Sequence, residues 1–161
     1  MPEHGRAGSR SVGDGNYSVH RRVTPEQTRQ RFADARVARL ATADADGRPH
    51  LVPMVFALAG DTIYSAVDAK PKRSSSLRRL ANIAANPRVA VLVDHYDDDW
   101  EALWWVRADG SGRILDADEP ESGDAIARLV ARYSPYRARP PQGPVVAIDV
   151  ARWSSWSAAG V

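Results

Sequence analysis

The chain has 161 residues, 22 basic against 20 acidic side chains for a formal net charge of +2, and no cysteine. That length suits one domain able to bury a core of its own, and the absence of thiols excludes disulfides, zinc–thiolate centres and cysteine nucleophiles. The near-balance of charge argues against a general nucleic-acid binder; with no apolar run of membrane-spanning length and no apolar segment at the N-terminus, the expectation is a cytoplasmic protein.

In chain order, residues 1–23 are rich in Gly, Ser, Arg and His without hydrophobic period and read as a disordered tail, its arginines too sparse for a nucleic-acid arm. Residues 24–161 read as a single domain. Thr24-Pro25-Glu26-Gln27 combines a capping hydroxyl, a proline at the first helical position and a capping-box glutamine, so a helix should run to about Ala35. The period then becomes that of strands: Val37 to Thr42, a turn at Asp44–Gly47, a returning strand from Pro49 to Leu58 in which Pro53 implies an edge or a break, and Thr62 to Val67, a three-stranded meander. A helix carrying Leu77, Leu80, Ala81 and Ala84 on one face ends at Asn86-Pro87, and Val89–Val93 reads as a buried strand. After the polar stretch Asp94–Asp99 come Ala102–Ala108, a turn at Asp109-Gly110, and Gly112–Leu115. A second helix starts at Asp118-Glu119-Pro120, with Ile126, Leu129, Val130 and Tyr133 as its stripe. A proline-rich loop from Pro135 to Pro144 leads to a last strand, Val145–Trp156. Six or seven mostly meandering strands with two or three helices predict a mainly β, antiparallel barrel with peripheral helices.

The strongest chemical signal is the cationic knot Lys70, Lys72 and Arg73, followed by Ser74, Ser75 and Ser76 at the start of a helix. Free N–H groups, the positive end of the helix dipole and charged donors would converge there on an anion. On composition alone, a solvated loop before an ordinary helix fits equally well. Other motifs fail. Asp94–Asp99 lacks the glycine and terminal glutamate of a calcium loop, no second histidine stands at ligand spacing, and no metal is expected. Gly110-Ser111-Gly112 lacks the strand–helix context of a dinucleotide fingerprint, and Ser154 and Ser155 lack a nucleophile elbow. Trp104 and Trp105, adjacent in a strand, must face opposite sides.

The stretches RLATADADGRPHLVPMVFAL (39–58), TIYSAVDAKPKR (62–73), LANIAANPRVAVLVDHY (80–96), DWEALWWVRADGSGRIL (99–115) and RYSPYRARPP (132–141) resemble, in this order and spacing, the pyridoxamine-phosphate-oxidase-like split β-barrel family, specifically its actinobacterial branch that uses the deazaflavin coenzyme F420. The likeness runs from about Thr24 to Trp156. It implies a homodimer with cofactor sites in the grooves between subunits, the phosphate held by Ser65, Lys70, Lys72 and Arg73, and the ring against Val52, Pro53, Met54 and Val55. Trp105 and Arg107 are further candidates on the cofactor side, Arg107 toward an acidic tail. Flavin-using members often begin the second strand with an arginine; here the place is near His50, a departure that weighs against FMN. The implied activity is hydride transfer between reduced F420 and an unidentified conjugated small molecule, with His50 and Tyr96 as candidate proton donors. The alternatives are an FMN-dependent oxidase or reductase and a non-catalytic F420-, flavin- or haem-binding protein.

Overall fold

A computed structural model describes residues 23–67 and 75–159; the tail and the Lys70–Arg73 knot, with Ser74, lie outside the described residues. Seven strands form one antiparallel sheet: β1 (Ala38–Ala43), β2 (Pro49–Met54), β3 (Ala57–Ala59), β4 (Thr62–Ala66), β5 (Arg88–His95), β6 (Trp104–Leu115) and β7 (Val145–Ser157), in the order β2-β1-β5-β6-β7-β4-β3. Around it lie α1 (Pro25–Asp34), α2 (Ser75–Ala85), α3 (Pro120–Arg132) and α4 (Ser134–Ala138). The mainly β fold with peripheral helices is that of a split barrel. No described helix is long and apolar enough to cross a membrane.

The start of α1 obeys its sequence signal. Thr24 Oγ1 accepts from the Gln27 N–H at 3.2 Å, and the Gln27 side chain accepts from the Thr24 N–H at 2.9 Å. Two of the helix's orphan N-terminal donors are thereby satisfied.

The expected meander is not continuous. The run from Pro49 to Leu58 is two strands at opposite edges of the sheet: β2 pairs with β1, and β3 pairs with β4. Proline at 49 and 53 confines β2 to an edge, as the sequence implied. The break at Val55-Phe56 is held by side chains. Ser65 Oγ donates to the Val55 carbonyl at 2.9 Å, and the buried Tyr133 hydroxyl accepts from the Phe56 N–H at 3.1 Å.

The expected turn at Asp109-Gly110 is also absent: β6 runs unbroken from Trp104 to Leu115. Asp109 faces Arg152 whereas Gly110 faces Val150, so Ala151 is the extra residue of a bulge in β7. Gly110 sits where the two chains close in, and a Cβ there would lie 2.3 Å from the Asp149 carbonyl oxygen. The strand β5 extends to His95, into the expected acidic loop. The Pro135–Pro144 loop holds a short helix, α4.

Strand alternation sends Leu40, Ile63, Val91, Val93, Val106 and Ile148 inward, where they meet Phe32 from α1 and Ile83 from α2. A second cluster forms where Ala125, Leu129 and Tyr133 of the α3 end cover Ala57, Leu115, Val145 and Ala147. Of the predicted α3 stripe, Leu129 and Tyr133 are buried while Ile126 and Val130 are half-buried. Ser122 and Ala125 complete the buried face.

Candidate functional site

The same alternation that fills the barrel leaves a distinct outer face on β2, β1, β5, β6 and β7. Cross-strand partners form rows there: Pro53, Arg39, Leu92, Arg107 and Ser154 in one, and Leu51, Ala41, Ala90, Asp109 and Arg152 in the next. A third row sets Asp94 beside Trp105 and Trp105 beside Trp156. Between them lies a hollow of about 430 Å³ with Ala41, Leu51, Ala90, Leu92, Tyr96 and Trp105 as its apolar lining and Arg39, Asp94 and Arg107 at its polar margin. Leu51 is 67%, Tyr96 72% and Trp156 46% exposed, a concentration of apolar surface that marks a binding face.

The charges around this hollow are unequal. Arg39 is paired with Asp94. Asp109 serves two guanidinium groups, Arg107 at 3.1 Å and Arg152 at 3.0 Å. One carboxylate between two arginines leaves a surplus positive charge beside an apolar floor, an arrangement suited to an anionic ligand with a flat apolar body.

A second hollow, about 270 Å³, lies between the β1–β2 turn and α2, lined by Asp44, Arg48, Pro49, His50, Arg78 and Asn82. The buried Asn82 fixes the helix by donating to Thr42 Oγ1 at 2.9 Å. His50 Nδ1 is buried with no hydrogen-bond partner among the described residues. Two arginines, Arg48 and Arg78, against the single carboxylate of Asp44 leave this hollow net positive, a setting that suits an anion. The Asp44 carboxylate accepts the Asp46 and Arg48 N–H groups of its own turn.

A third and larger cavity, about 720 Å³, opens between α1 and the adjoining ends of β1, β5 and β6. It meets the outer-face hollow at the Arg39–Asp94 pair, which lines both.

The structure brings together three of the sequence candidates, Tyr96, Trp105 and Arg107, at the outer-face hollow. His50 stands apart from them in the hollow beside α2. Along β2 and its exit, Pro53 is exposed, Val52 and Val55 are half-buried, and Met54 belongs to the core cluster. The Ser65 hydroxyl is buried and donates to Val55, at the end of β4 that leads into the undescribed segment. Trp153 packs edge-on against Phe32 at 5.0 Å and donates its Nε1–H to Asp61 at 2.9 Å, whereas Trp156 is on the outer face. Arg39, Arg48, Arg78 and Arg152 escaped the sequence reading. The only signal for Arg39 was a charge at an outward position of an otherwise apolar strand, and the other three required tertiary placement.

The pronounced pKa displacements lie away from these hollows. Hydrogen bonds from Arg29 and Trp153 hold the Asp61 carboxyl below its usual range. Arg113, doubly bonded to both Asp149 and Glu121, lowers both of those carboxyls. Burial, then the bond to Glu121, raises Tyr64. These ties join α3 and α1 to β4 and β7 and are structural. Among the described residues no cluster of three or more His, Asp or Glu side chains is arranged to hold a metal ion.

The family model described as pyridoxamine 5'-phosphate oxidase matches residues 24–157. No curated protein matches the chain significantly. Among solved structures, a conserved hypothetical protein from Mycobacterium tuberculosis is similar at TM-score 0.70 and 23% identity, covering 88% of this chain and 89% of that one. An FAD-binding protein from Mesorhizobium loti is similar at TM-score 0.65 and 21% identity, over 82% and 93% of the two chains. A haem storage protein from Vibrio cholerae reaches TM-score 0.63 at 17% identity, over 84% and 94%. At these identities the likeness establishes the fold.

Proposed function

This chain belongs to the pyridoxamine 5'-phosphate oxidase family, and from that premise we propose that it is a cytoplasmic, homodimeric coenzyme F420-dependent oxidoreductase acting on a conjugated small molecule. The observation that carries the reading is the outer sheet face, where an apolar hollow is bordered by Arg107 and Arg152 sharing the single carboxylate of Asp109. A ring with an anionic tail suits that surface. A phosphate suits Lys70, Lys72 and Arg73, whose segment runs between β4 and α2 in the chain, with Ser65 at its root and Arg78 on α2.

Bound, the reduced deazaflavin supplies the hydride. The chain's own residues bind, orient and exclude water. Main chain from Val52 to Val55 backs the ring, Trp105 gives it an apolar wall, and Arg107 holds the acidic tail by charge-assisted hydrogen bonds. A second copy laid over Leu51, Tyr96 and Trp156 removes their exposed apolar surface from water and closes the groove. His50 and Tyr96 are the candidate donors of the accompanying proton; Tyr96 borders the hollow proposed for the ring, whereas His50 stands in the hollow beside α2.

A second reading, a flavin- or haem-binding protein without turnover, is favoured by the similar folds of an FAD-binding and a haem storage protein. Separate titrations of the purified protein with F420, FMN, FAD and haem distinguish them. Micromolar or tighter F420 binding with negligible flavin and haem binding is expected, weakened by Lys70→Ala and Lys72→Ala. Preferential binding of a flavin or haem, or indifference of F420 affinity to both substitutions, overturns the proposal. Substrate-dependent reoxidation of reduced F420 then separates an enzyme from a carrier.

A further inference from the structure

The cavity between α1 and the barrel is distinct from the hollows assigned above, and its chemistry is specific. Its lining carries Arg31, Arg36 and Arg39 against Asp34 and Asp94, with Trp104, His95, Gln27 and Gln30. Most of these charges are engaged. Asp94 is paired with Arg39, and Asp34 accepts from Gln30 Nε2 at 2.8 Å. Arg36 donates to the Arg132 carbonyl at 2.9 Å and lies 4.6 Å from the centre of the Tyr133 ring. Arg31 differs: its guanidinium stands 5.1 Å from the centre of the Trp104 ring and makes no ion pair among the described residues. Trp104 is half-buried and stacked with His95 at 6.3 Å and an interplanar angle of 24°. The cavity therefore presents a cation lying over an aromatic ring, with a hydrogen-bonding edge that meets no partner among the described residues.

We infer that this cavity is a binding site for a small aromatic or conjugated carboxylate, its carboxylate on Arg31 and its ring beside the Arg31–Trp104 stack. The carboxylate charge makes bidentate hydrogen bonds with the guanidinium, while the ring takes apolar surface from water. Gln27, whose Oε1 is used in the helix cap, has its Nε2 as a further donor at the α1 side. Because the Arg39–Asp94 pair lines both this cavity and the outer-face hollow, the site adjoins the groove proposed for the cofactor.

The test uses the full chain and two probes, 1-naphthoate and its uncharged methyl ester, followed by calorimetry. The wild type is expected to bind 1-naphthoate and to bind the ester at least tenfold more weakly. Arg31→Gln should weaken 1-naphthoate by about tenfold or more. Trp104→Phe, which keeps an aromatic wall, should weaken it less. F420 affinity, measured on the same variants, should stay within about twofold, so failure here is separable from failure of the cofactor assignment. No binding of 1-naphthoate, equal binding of acid and ester, or full affinity in a folded Arg31→Gln protein each overturns the inference.

Discussion

The hydroxyl of Tyr133 accepts from the Phe56 N–H at 3.1 Å and stands 2.8 Å from the Phe56 carbonyl oxygen, so one side chain from the end of α3 serves both main-chain groups of the residue where the barrel is split. The Arg36 carbonyl, 3.0 Å from the same oxygen, competes for its single proton, and Arg132 Nε donates to it at 3.1 Å. The sequence run that could have continued as one strand is thus held apart as two edges. Removal of this hydroxyl by Tyr133→Phe leaves buried polar groups without partners, at a cost of about 1–3 kcal/mol. Urea unfolding should show that loss; a variant as stable as the wild type would mean that water substitutes fully.

Gly110 and Gly47 test two different reasons for glycine. At Gly110 an alanine Cβ would meet the Asp149 carbonyl oxygen at 2.3 Å, so β6 and β7 must move apart. At Gly47 nothing lies near, but φ is +79°. Gly47→Ala should cost about 1 kcal/mol, the left-handed penalty of a single residue. Gly110→Ala should cost more, about 1–3 kcal/mol, from the forced backbone displacement. Parallel thermal melts rank the two.

Acid stability should depend on Arg113. The carboxyls of Glu121 and Asp149 titrate below their usual range because Arg113 bonds to both, with Tyr64 aiding Glu121 and Thr62 aiding Asp149. A carboxyl with a lowered folded pKa contributes stability above its unfolded value, and that contribution disappears as pH falls through the folded value. Stability should therefore decline below about pH 4. Arg113→Met should flatten the decline in that window while lowering stability at neutral pH, read from urea midpoints between pH 2.5 and 7. An unchanged slope would refute the assignment.

For the outer face, Leu51→Glu places a charge on a residue that is 67% exposed in the single chain. Its monomer should fold normally, because nothing in the core changes. On the proposed dimeric F420 reading, sedimentation should show a shift from dimer to monomer, accompanied by weaker F420 binding if the groove needs both copies. Arg107→Gln should leave the dimer intact and weaken F420 by about tenfold. Loss of affinity from Leu51→Glu with an intact dimer would instead place Leu51 against the ligand itself.

Local chemistry made much of this fold readable. The capping box at Thr24–Gln27, the prolines that keep β2 at an edge, and the periodicity of β5 and α3 are interactions within a few residues, which a linear pattern encodes directly. The same reasoning placed Trp104 and Trp105 on opposite sides of β6, where one stacks with His95 and the other walls the outer hollow. Asp109-Gly110 reads as a turn in the sequence because a turn and a bulge use the same residue types. The difference lies in β7, forty residues away, whose extra residue at Ala151 absorbs the irregularity.

The candidate site divides in the same way. Trp105, Arg107 and Tyr96 could be chosen from the sequence, but their meeting with Leu51, Arg39 and Asp94 depends on β2, β1, β5 and β6 lying side by side. Arg152 acquires its role only through sharing Asp109 with Arg107 across β6 and β7. By itself the sequence determined the family fold, the starts of α1 and α3 and the inward and outward alternation, because each follows from local sterics and burial. Tertiary structure decided where the second strand divides and which arginines border a hollow, because hydrogen-bond satisfaction and charge pairing there join residues far apart in the chain.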